Sequence, residues 1–80
     1  MMSYASGETV KLGDKVSLGS DYGGTVVIIF DTGEYSTDYP EAQWGGYLTK
    51  GVMMNFPLYG LIHYEEMEPD VKFIARGAAP

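Results

Sequence analysis

Catalysis or metal binding in this 80-residue chain would have to be built from one histidine, His63, and eleven carboxylates, because there is no cysteine. Strand alternation places His63 and Glu65 on one face, but a metal site needs further ligands at fixed spacing, and none follow. A Ser-His-Asp arrangement would draw on Ser17, Ser20 or Ser36, none of which sits in a nucleophile-elbow sequence. Glu65 and Glu66 are adjacent acids, yet acid/base work requires burial to shift a carboxyl, and Glu65-Glu66-Met67-Glu68-Pro69-Asp70 reads as a solvated turn. The glycines from Gly19 to Gly24 lack the Lys-Ser/Thr ending and following helix of a phosphate cradle. The expectation is therefore a protein that is not an enzyme, with no catalytic residue, metal site or cofactor.

A different chemistry is suggested between Asp31 and Lys50. That stretch holds Tyr35, Tyr39, Trp44 and Tyr47 among Asp31, Glu34, Asp38 and Glu41, with no base between Lys15 and Lys50. Aromatic faces and carboxylates together can grip a cation through cation–π contacts and charge-assisted hydrogen bonds. The alternative is structural: Trp44 and the tyrosines could instead close the open end of a small barrel as a minor core. Long loops in compact domains are often functional, so both readings stay open at this point.

The net charge of −6 repels nucleic-acid phosphates and anionic membrane surfaces, whose ligands rely on Lys and Arg clusters. The N-terminal residues have neither a basic nor an apolar signal-like region, and no run of eighteen apolar residues occurs. A cytoplasmic protein is the expectation. At 45% hydrophobic and 14% aromatic the chain can fill one small core, so residues 1–80 are read as a single domain. Residues 1–8 and 77–80 are expected to be flexible ends, and the domain is expected to be a monomer or weak dimer.

The elements that must position these residues begin with Val10–Phe30. Val16 and Leu18 alternate with Lys15 and Ser17, as in a half-buried strand; a turn is expected over Gly19–Gly24. Thr25-Val26-Val27-Ile28-Ile29-Phe30 is β-branched and apolar enough to be buried on both faces. Asp31-Thr32-Gly33-Glu34 carries turn chemistry, and Pro40 with Glu41 can open one helical turn that Gly45-Gly46 ends. Val52–Phe56 predicts a strand with Val52, Met54 and Phe56 inward, pairing with Leu61–Tyr64, before a last strand over Val71–Ala75. The pattern Gly-Asp-x-Val followed by Gly-Gly-Thr-Val, over Gly13–Val27, resembles the opening of SH3-like small β-barrels of the KOW and Tudor-like branches. That resemblance implies a fold and carries no function with it.

The sequence thus predicts an all-β domain: a small SH3-like barrel of about five short antiparallel strands, with one long loop containing a single helical turn. Its expected function is that of a non-catalytic, acidic protein-interaction module. It would bind a basic protein or peptide through the Asp31–Lys50 loop, in an inhibitor- or immunity-like manner. One alternative is an accessory or regulatory domain of an enzyme, with a small-molecule or metal site near His63. Nucleic-acid binding, which the KOW resemblance raises, is disfavoured by charge.

Overall fold

The computed structural model describes residues 2–46 and 49–77. Its elements are β1 (Lys15–Leu18), β2 (Asp21–Ile29), β3 (Glu34–Tyr35), α1 (Glu41–Trp44), β4 (Val52–Phe56), β5 (Gly60–Tyr64) and β6 (Val71–Ala75). They form one antiparallel sheet of six strands in the order β5-β4-β2-β1-β6, with β3 paired to β2 off that path. The all-β class expected from the strand patterns is what the backbone adopts. Within the described residues β5 and β6 end the sheet without pairing to each other, so the sheet is not closed. β3 is a short addition that the sequence pattern had placed in the loop.

β2 organises the sheet because apolar side chains cover both of its faces. Val26 and Ile29 join the main core with Val16, Val52, Met54, Phe56 and Val71, whereas Val27 and Ile28 join Phe30 and Met53 on the other side. Two consecutive residues face the second cluster because the β2–β4 register shifts between Val26 and Ile28. A bulge of this kind adds a residue and breaks strict alternation. β4 keeps the simple period: Val52, Met54 and Phe56 have no exposed surface, as the alternation predicts, and Met53 points the other way. β5 follows suit, with Ile62 and Tyr64 packed against the main core.

The turn expected over Gly19–Gly24 is shorter than its glycines suggest. β2 already begins at Asp21, so only Gly19 and Ser20 lie between the strands. Gly24 is buried in the strand, and a Cβ there would run into the Phe56 ring and approach Val16 Cγ2 to 2.9 Å. Its glycine is required by a side chain crossing from β4, a tertiary reason rather than a turn.

Two buried carboxylates tie loops to this sheet. Asp21 Oδ1 accepts from Gly23 N at 2.9 Å and Oδ2 from Leu58 N at 2.7 Å, joining the β1–β2 and β4–β5 hairpin tips. Asp14, with no exposed surface, accepts from Tyr4 Oη at 2.6 Å and Lys11 N at 2.9 Å. Arg76 Nη1 donates to both Asp14 oxygens, at 2.9 and 2.8 Å, and to the Thr9 carbonyl at 2.9 Å. The N-terminus, expected to be loose, is held by this cluster. Tyr4 is 3% exposed, Ser3 bridges Thr9, and Tyr4 N donates to Glu8 O. Of the C-terminal end expected to be flexible, Gly77 is described and 78–80 lie outside the described residues.

Burial, the hydrogen bond to Asp14 and the Asp14 charge together push the Tyr4 phenol well above its ordinary value. A group whose neutral form is favoured in the folded state contributes stability that is complete below the unfolded tyrosine pKa of about 10 and fades as pH rises above it. Urea midpoints measured from pH 8 into the alkaline range should fall beyond that point, and Tyr4→Phe should flatten the fall. An equally steep decline in Tyr4→Phe would refute this origin.

The close approach at Gly24 gives a second expectation. Gly24→Ala should lower the unfolding free energy by about 1 to 3 kcal/mol, because Phe56 and Val16 have no free space into which to move. A neutral result by chemical denaturation would show that β2 and β4 can separate locally.

Candidate functional site

The Asp31–Lys50 stretch leaves the sheet at the end of β2 and is clamped at its base. Phe30 N donates to Gly51 O at 2.9 Å, and Gly51 N returns a bond to Asp31 Oδ1 at 2.9 Å. Gly51 lies at φ 88°, and any Cβ there would meet the Tyr64 carbonyl oxygen, so only glycine closes the loop this way. The turn predicted at Asp31–Glu34 forms as expected, with Gly33 at φ 71° and its N–H bonded to Phe30 O. β3 then lays Glu34 and Tyr35 beside Ile29 and Ile28. The helical turn predicted around Glu41–Trp44 is α1; Pro40 precedes it in extended conformation, and Gly45 N donates to Glu41 O.

The fold brings three of the four candidate aromatics together. Tyr35, Tyr39 and Trp44 are half-buried against the second cluster of Val27, Ile28, Phe30 and Met53. Phe30 meets Tyr35 edge-on at 6.1 Å between centroids, and Tyr39 meets Trp44 at 5.6 Å. Tyr47 lies outside the described residues. These rings are therefore packed on the sheet and partly accessible.

The four candidate acids are all exposed, but they are not gathered at one point. Asp31 and Glu34 line a cleft of about 370 Å³ with Lys11, Arg76 and the apolar Met2, Val10, Leu12 and Ile29. Asp38 borders a smaller depression of about 220 Å³ with Tyr39, Ser36, Thr25 and Lys15. Glu41 opens α1. Sequence distance concealed the basic neighbours, because Lys15, Lys11 and Arg76 come from segments remote from the loop. Inside the smaller depression the buried Ser36 hydroxyl has no hydrogen-bond partner among the described residues.

His63 has a structural setting. Its Nε2 lies 2.8 Å from the Lys50 carbonyl oxygen, and its ring packs edge-on against Phe30 at 5.7 Å. Among the described residues no three His, Asp or Glu side chains are grouped to hold a metal ion, and no helix is long and apolar enough to cross a membrane. Compared with protein-family models, curated proteins and solved structures, the chain matches none.

Because Trp44 packs on Tyr39 and the second cluster but remains half-buried, Trp44→Ala should cost about 2 kcal/mol of stability, below the range for a fully buried aromatic. Equilibrium denaturation checks this. A change under about 0.5 kcal/mol, the scale of ordinary surface substitutions, would mean that the indole does not support the loop.

Proposed function

We propose that the protein is a non-catalytic, acidic interaction module that binds a basic protein or peptide through the loop following β2. The observation that carries this reading is the set of half-buried rings, Tyr35, Tyr39 and Trp44, fixed on a second apolar cluster, in a loop whose acids Asp31, Glu34, Asp38 and Glu41 are all exposed. Rings immobilised before binding lose little conformational freedom on contact, and aromatic anchors of this kind commonly dominate interface energetics. The loop's exposed carboxylates favour Lys- and Arg-bearing partners and oppose nucleic acid and anionic membranes.

The reading includes a small SH3-like barrel as the scaffold and a cytoplasmic location. Support for the former is the strand order, in which β1 lies between β2 and the last strand, β6. An inhibitor- or immunity-like role, masking a cationic cleft on the partner, suits an acidic surface without catalytic groups.

A decalysine peptide provides the test. The wild-type protein should bind it with an affinity that falls as salt rises. The triple substitution Glu34→Lys, Asp38→Lys, Glu41→Lys should slow association and remove the salt dependence, while each change moves the unfolding free energy by only about 0.5 kcal/mol. Equal binding by the wild type and the triple variant would overturn the assignment.

A further inference from the structure

We infer that the cleft between the β2–β3 turn and the end of β6 is a binding site for a short zwitterionic peptide with an apolar body, of dipeptide size. The inference does not rest on the interaction reading above, although Asp31 and Glu34 contribute to both.

The cleft's most specific feature is the setting of Arg76. All of its described hydrogen bonds leave from Nη1, two to the buried Asp14 carboxylate and one to the Thr9 carbonyl. Nε and Nη2 have no partner among the described residues, and the side chain is 41% exposed. The guanidinium also lies 5.0 Å from the Phe73 ring centroid, which further fixes its plane. Nε–H and one Nη2–H form the side-on fork of a guanidinium, which matches the two oxygens of a carboxylate. Arg76 is thus held on one edge by a buried acid, while its carboxylate-binding edge has no partner among the described residues.

The other lining residues decide what kind of carboxylate fits. Lys11 and Arg76 bring two cations, and Asp31 and Glu34 bring two anions from a separate segment. A simple anion would be opposed by Asp31, Glu34 and Asp14, and a simple cation by Lys11 and Arg76; a ligand carrying both charges escapes each penalty. Met2, Val10, Leu12 and Ile29 offer apolar surface for whatever joins the two charges. A volume of about 370 Å³ lies within the small-ligand range and suits two residues rather than a long chain.

The test uses the full chain and the dipeptide Ala-Leu, followed by amide chemical shifts in NMR titration. Binding with a Kd on the order of 1 mM is expected, with shifts centred on 9–12, 31–34 and 76–77. Acetylating the amino end or amidating the carboxyl end should each weaken binding about tenfold. Lys11→Gln and Glu34→Gln, both at exposed positions, should each weaken it about threefold without moving the thermal midpoint. Arg76→Lys keeps the charge but loses the fork, and should weaken binding about tenfold. Should Arg76→Lys fail to fold, the capped peptides and the two exposed variants still decide.

No shifts at about 10 mM dipeptide, or equal binding of capped and uncapped forms, would overturn the site. Tighter binding of the amidated form would also overturn it, since the acidic wall alone would then be acting. The two readings fail separately, because the double variant Asp38→Lys, Glu41→Lys changes residues that do not line this cleft: it should weaken decalysine binding and leave Ala-Leu binding unchanged.

Discussion

The structure depends most on one buried carboxylate. Asp14 sits just before β1 with no exposed surface, and an ionised carboxyl in that position is tolerable only if its oxygens are fully engaged. Tyr4, Lys11 and Arg76 supply the donors, and they come from the N-terminal segment, the approach to β1 and the residue after β6. One side chain therefore holds together parts of the chain that are 62 residues apart. Removing a partner would leave the charge buried and under-bonded, which is usually worse than never having had the pair.

The same cluster links fold and surface chemistry. Arg76 is placed by Asp14, stacked near Phe73 and exposed on its far edge, and Phe73 in turn lies 5.1 Å from the Tyr4 ring. On the opposite face, the shift in β2 register directs Val27 and Ile28 together toward one side, creating the apolar floor on which Tyr35, Tyr39 and Trp44 rest. A sheet covered on both faces in an 80-residue chain leaves its polar loops little room to be mere connections. The loop after β2 thus becomes part of the packing and keeps its carboxylates outward.

The distribution of charge changes meaning once burial is known. Asp14 and Asp21 count toward the net charge of −6, yet both act as internal hydrogen-bond acceptors. Most of the acids that a partner can meet are on the loop after β2 and in the β5–β6 connection, with Glu8 near the N-terminus in addition. Within the former, the fold reintroduces cations: Lys15 beside Asp38, and Lys11 and Arg76 beside Asp31 and Glu34. Mixed-sign surfaces of this kind select partners by pattern more than by total charge.

Every strand but β3, the Asp31–Glu34 turn and the single helical turn were legible because they follow from local signals: alternation in β1 and β4, β-branched density in β2, and Gly33, Pro40 and Gly45 at their boundaries. The aromatic and acidic candidates could also be read from composition within one segment. What the tertiary structure decided was everything that depends on long-range approach. Gly24 is glycine because Phe56 crosses it, Asp14 is a core residue because Arg76 returns to it, and Lys11 faces Asp31 because β2 brings their segments together. Periodicity reports which face of an element is apolar, but contacts between residues dozens of positions apart are set by strand order and register, which one-dimensional patterning does not contain.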